Sequence, residues 1–140
     1  MKDQLEQVKA FHNRMGITPR HDWPKDFDPA MLQLSHLIDG EAQDALKTYN
    51  RDKDVRWLRV HLMMEELAEV IGGLADCNKV EVLDGLADLS YVTLGTAAVF
   101  ELRLPEAFEE VHQSNMTKSP SDQRCSNKTG YTPPNLEKLL

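Results

Sequence analysis

The chain has 140 residues, of which 23 are acidic and 16 basic, giving a net charge of −7. That length accommodates one domain with a real core and leaves no room for a second. The acidity argues against a nucleic-acid phosphate binder, no run approaches the roughly 18 apolar residues of a membrane span, and the N-terminus lacks a signal-peptide core. A soluble, cytoplasmic protein without nucleic-acid or membrane partners is expected. Cys77 and Cys125 have neither metal-site nor redox-motif spacing and are expected to be free thiols.

Leu5, Val8, Phe11 and Met15 recur at helical spacing and predict a helix over 2–14, ended by Gly16 and Pro19. His12 and Asn13, near its end, are candidates to hydrogen-bond a ligand's base or sugar. Residues 17–29 read as a loop, with Pro19, Pro24 and Pro29 among charged residues. Its aromatics, Trp23 and Phe27, could stack a base or plug the rim of a core. A second helix is predicted over 30–49, with Leu34, Leu37, Ile38, Ala42, Ala45 and Leu46 on its buried side and Gly40 weakening its middle.

Asp52 or Asp54 is placed to cap a third helix. Residues 60–102 then hold eight acidic side chains and one basic one, Lys79, in an otherwise apolar text. Apolar spacing on both sides of Cys77 predicts a hairpin of two helices. On the first, at about 100° per residue, Glu66 and Glu69 share an apolar face. On the second, Asp84 and Asp88 share a face with Tyr91, and leucines cover the remaining faces, the pattern of a buried helix.

Counting outward from the turn sets Glu69 level with Asp84 and Glu66 level with Asp88, so antiparallel packing brings four carboxylates together. With only Lys79 to neutralise them, a divalent cation is the natural partner. Oxygen ligands without Cys or His suit Mg²⁺, or Mn²⁺, better than Zn²⁺. Glu65 and Glu81 flank the cluster. Pro105 opens a fifth helix ending near Asn115, and beyond Lys118 regular structure is expected to stop, leaving 119–140 as an irregular tail in which Arg124 and Lys128 supply cations for outer phosphates.

The pattern Glu65-Glu66-Leu-Ala-Glu69, followed by Asp84-Gly-Leu-Ala-Asp88-Leu-Ser-Tyr91, resembles the all-α nucleoside triphosphate pyrophosphohydrolases of the MazG-like superfamily. The downstream run Glu110-Val-His112-Gln-Ser-Asn115-Met-Thr-Lys118, with Asn127-Lys128 and Tyr131-Thr-Pro133-Pro134, is similar to the phosphoribosyl-ATP pyrophosphohydrolase-like, or Cof-like, subgroup. The resemblance implies an all-α bundle of about five helices around a central acidic hairpin, in one domain over 1–140. It also implies association as a homodimer or homotetramer.

Glu66 and Glu69 match the metal ligands of the family's first motif, and Glu65 matches its leading glutamate. Asp88 matches the aspartate ending the second motif, but Gly85 stands where that motif's glutamate is found, so Glu81 with Asp84 offers a second register. The implied reaction is Mg²⁺-dependent hydrolysis of a nucleoside triphosphate, a dNTP or modified nucleotide, to monophosphate and pyrophosphate, as in nucleotide-pool house-cleaning. Glu65 would act on the attacking water, Lys118 and Lys128 on the phosphates, and Tyr91 and Asn115 on the substrate.

Two competing readings remain. A di-iron bundle needs two Glu-x-x-His motifs, and Glu109-x-x-His112 is the one match. A non-catalytic module would use the acidic stripe to bind a metal or a basic partner.

Overall fold

The structure, a computed structural model, describes residues 1–120 and 131–140. Those residues form five α-helices and no strand. They divide into two compact units, Asp22–Phe100, called the hairpin unit below, and Met1–His21 with Glu101–Leu140, the terminal unit.

The hairpin unit holds α2 (Pro29–Asp52), α3 (Val55–Ala75) and α4 (Lys79–Val99). Each starts on a side-chain cap. Asp28 accepts from the N–H groups of Ala30 and Met31, Asp54 from that of Arg56, and Asn78 from those of Val80 and Glu81. Of the two expected caps of α3, Asp54 is therefore the one used. Gly40 does not interrupt α2, since helical hydrogen bonding on both sides outweighs the roughly 1 kcal/mol cost of one glycine.

α3 is the central helix, packed against α2 on one side and α4 on the other. The α2 contact is close because Ser35 is small and buried and donates its hydroxyl hydrogen to the Ala68 carbonyl at 2.7 Å. On the α4 side two glycines set the approach. A Cβ on Gly73 would stand 2.9 Å from the backbone nitrogen of Val82, and one on Gly85 would stand 2.9 Å from Val70 Cγ2. The hairpin turn passes through Cys77, whose φ of 55° lies in the left-handed region.

Trp23 fastens that turn by donating its indole N–H to the Cys77 carbonyl at 2.7 Å. Lys79 lies over the Trp23 ring, 5.7 Å from its centroid. Of the two roles open to Trp23, plugging the fold is the one the structure shows. Phe27 is exposed. Cys77 is a free thiol, and Cys125 lies outside the described residues.

Two expectations are corrected at α4. An apolar sequence on all faces predicted burial, yet Val80, Leu83 and Tyr91 are 77%, 71% and 78% exposed, because α4 packs chiefly on α3. By length and a mean hydropathy of 1.2, this helix also reaches what a membrane crossing needs, so one segment does approach a span.

In the terminal unit, α1 (Lys2–Arg14) packs on α5 (Leu104–Met116). The described part of the tail lacks long regular structure but is fastened to α5. Ser114 donates its hydroxyl hydrogen to the Thr132 carbonyl at 2.6 Å, the Thr132 N–H donates to Thr117 Oγ1 at 2.8 Å, and Glu110 accepts from the Asn135 N–H and from Lys138. A single 3₁₀ turn, Glu137–Leu139, follows.

Candidate functional site

A cavity of about 400 Å³ opens in the hairpin unit where the three helices meet. Its walls follow from helix geometry. On α3, residues 65, 69, 72 and 76 form one strip, lying between the face packed on α2 and the face packed on α4. The cavity is lined there by Glu65, Glu69, Gly72 and Asp76, with Glu81 and Asp84 from α4 and Ser35, His36 and Asp39 from α2. The two glycine contacts described above keep the α4 acids near the α3 strip.

The four expected ligands share one electrostatic field. Glu66 is held above the usual carboxylate range first by desolvation, then by the charges of Glu69, Asp88, Glu65 and Asp84. Glu69 is raised by desolvation and by Glu65, Asp88, Asp84 and Asp39. Burial is milder than the sequence implied, since Glu66 and Glu65 are half-buried while Glu69, Asp84 and Asp88 are exposed. Desolvation is the larger cause at both glutamates, and the repulsion of neighbouring carboxylates across the cleft adds to it.

Among the described residues no group of three or more His, Cys, Asp or Glu side chains is arranged to hold a metal ion. The donor chemistry nonetheless fits a hard divalent cation. The four expected ligands offer carboxylate oxygens alone, and Glu66 and Glu69 are raised by desolvation and then by the charge of their neighbours. Both registers of the second motif touch this field. Glu81 and Asp84 line the cavity, and Asp84 and Asp88 act on Glu66 and Glu69.

Glu65 has a histidine one helical turn before it. His61 is buried, its Nδ1 bonds the Ala42 carbonyl at 2.9 Å, and its Nε2 lies 3.6 Å from Glu65 Oε2. A carbonyl only accepts, so Nδ1 carries the proton and the ring edge toward Glu65 is Nε2. The spacing of His61 and Glu65, one helical turn, was a readable signal. His36 and Asp39 on the α2 wall lie outside the side of that helix expected to be buried, and of that side Leu34 and Leu37 are exposed while Ala42 and Ala45 are buried.

The remaining expected residues fall elsewhere. Tyr91 is on the exposed side of α4 and does not line the cavity. In the terminal unit, His12 and Asn13 are exposed at the end of α1. Beside them, Arg14 Nε donates to the Lys118 carbonyl at 3.4 Å. Lys118 Nζ donates to Asn115 Oδ1 at 2.7 Å and lies 5.3 Å from the Tyr131 ring centroid. Lys128 lies outside the described residues.

The profile of the phosphoribosyl-ATP pyrophosphohydrolase family matches residues 31–115, more than half of the chain. That stretch contains all of α3 and α4 with the acidic residues described above. No curated protein and no solved structure matches the chain significantly.

Proposed function

Because the chain belongs to the phosphoribosyl-ATP pyrophosphohydrolase family, within the MazG-like superfamily, we propose that it hydrolyses the α–β phosphoanhydride of a nucleoside triphosphate. The products are the monophosphate and pyrophosphate, and the substrate class is a dNTP or modified nucleotide. The observation that carries this reading is the cavity into which Glu65 and Glu69 of α3 converge with Glu81 and Asp84 of α4, with Glu66 and Asp88 in the same electrostatic field.

Glu66, Glu69, Asp84 and Asp88 are the proposed holders of Mg²⁺ or Mn²⁺, with Glu81 beside them. When bound, such a cation neutralises phosphate oxygens and acidifies a water. Glu65, which lines the cavity, is the proposed acceptor of the attacking water's proton. Lys118, fixed by Asn115 and the Tyr131 ring, is a proposed phosphate contact. Lys118→Ala is expected to raise KM severalfold with kcat little changed.

Association of two copies is part of the same proposal. Val80, Leu83, Tyr91 and Leu94 project from the side of α4 turned away from α3, all more than half exposed. A second copy covering that stripe removes apolar area from water.

The deciding experiment incubates the protein with canonical and modified NTPs and dNTPs in Mg²⁺ or Mn²⁺ and separates the products. Monophosphate with pyrophosphate from any member is the expected result, and the best substrate names the base. Absence of turnover by folded, metal-supplied protein assigns the acidic cavity to a binding module instead.

A further inference from the structure

Arg59 stands on α3 seven residues before Glu66, which returns it to nearly the same face about 10 Å along the helix. Gly95 stands seven residues after Asp88 on α4, so the same relation holds on the partner helix. The two meet. Arg59 Nη1 lies 3.3 Å from where a Cβ on Gly95 would stand. The α3–α4 seam therefore carries acids at one level and a guanidinium at the next.

This guanidinium differs from the others in its unit. Arg51 is bonded to Asp52 and Arg56 to Asp54, both on the exposed surface. Arg59 is half-buried, and its buried Nε has no hydrogen-bond partner among the described residues. A buried polar nitrogen without a partner is unfavourable in the folded chain. Gly95 leaves the notch that allows this placement, since an added methyl would press on the guanidinium.

We propose that Arg59 receives the outer phosphates of the nucleotide, those that leave as pyrophosphate. The inference rests on the pyrophosphohydrolase reading for its substrate class. The acids at the Glu66 and Asp88 level repel a bare triphosphate, and a planar fork of donors farther along the seam binds the far end of the same chain of phosphates.

The test is calorimetric titration of the full chain with inorganic pyrophosphate in Mg²⁺, for wild type, Arg59→Met, Arg59→Lys and Gly95→Ala. Losing charged hydrogen bonds in Arg59→Met is expected to weaken binding on the order of ten- to a hundredfold. Arg59→Lys should fall between, having the charge without the fork. Gly95→Ala should lose a few-fold by displacing Nη1 while the charge remains.

Should Arg59→Met fail to fold by circular dichroism, the other two variants carry the comparison. Unchanged affinity in the folded variants, or no pyrophosphate binding by wild type, overturns the proposal. Turnover is scored separately. NTP hydrolysis with Arg59-independent pyrophosphate binding removes Arg59 alone, whereas Arg59-dependent binding without hydrolysis of any NTP removes the reaction and keeps the phosphate contact.

Discussion

α3 and α4 are both 21 residues long and both apolar with interspersed acids, yet the fold treats them differently. α3 has a helix on each side and buries His61, Ala68, Val70, Gly73 and Ala75. α4 buries Val82, Gly85 and Ala97, and turns its large residues outward. Composition alone does not decide burial. What a helix buries depends on how many neighbours the chain supplies, and α4 has apolar surface left over for another partner.

The comparison breaks hardest at the acids that the two helices share. Glu69→Gln on α3 and Asp88→Asn on α4 are each expected to lower metal-dependent turnover by about a hundredfold or more. Circular dichroism and the unfolding temperature should remain near wild type, because both side chains are exposed. Full activity in both variants would show that the two helices do not share one site.

A second test separates the helices by their outer faces. On the proposed association through α4, Leu83→Asp is expected to lower the sedimentation coefficient toward that of a monomer, since covering a leucine contributes about 1.5–3 kcal/mol. The folded monomer should persist, because Leu83 is 71% exposed in the single chain. An unchanged sedimentation coefficient would locate any association elsewhere. The same substitution at Val70, buried on α3, should unfold the chain instead.

The seam itself is tested with two glycines. Gly85→Ala puts a methyl 2.9 Å from Val70 Cγ2 and 3.1 Å from the Val70 nitrogen, and backbone cannot rotate away as a side chain can. A loss of about 1–3 kcal/mol in urea unfolding is expected. Gly40→Ala in α2 meets nothing within 4 Å and should gain about 0.5–1 kcal/mol from helix propensity. Equal effects at both positions would mean that the α3–α4 approach is not limited by Gly85.

Much of this was legible in the sequence because it is periodic. Helix α1 begins and ends where apolar spacing put it, α3 runs from the expected cap at Asp54 to the expected turn at Cys77, and α2 and α5 extend only a few residues beyond the predicted bounds. That Glu66 and Glu69 feel the charges of Asp84 and Asp88 agrees with counting along two antiparallel helices. Features set by a third element were not legible. Ser35, His36 and Asp39 reach the cavity only because α2 crosses α3 at a small buried serine, and nothing local to those residues announces that crossing. Likewise, the exposure of α4 depends on which helix occupies its far side, a tertiary fact that its own residues do not encode.

The smallest expected effect concerns pH and distinguishes the acids by helix. Glu66 and Glu69 are raised above the ordinary carboxylate value of 4.5, whereas no cation of the unit lowers them. A raised carboxyl binds its proton more tightly in the folded chain than in the unfolded one. Its ionisation therefore costs stability as pH rises from the unfolded value to the folded one, and the loss is complete above the folded value. Glu69→Gln removes that cost, so its unfolding temperature relative to wild type should rise across this window and level off beyond it. Mg²⁺ added above the window should stabilise wild type more than the variant, because it neutralises the same repulsion. The shift will be small, since Glu69 faces solvent and its neighbours are screened. A difference between the two proteins that is independent of both pH and Mg²⁺ would show that the α3 and α4 carboxylates do not repel one another in the folded chain.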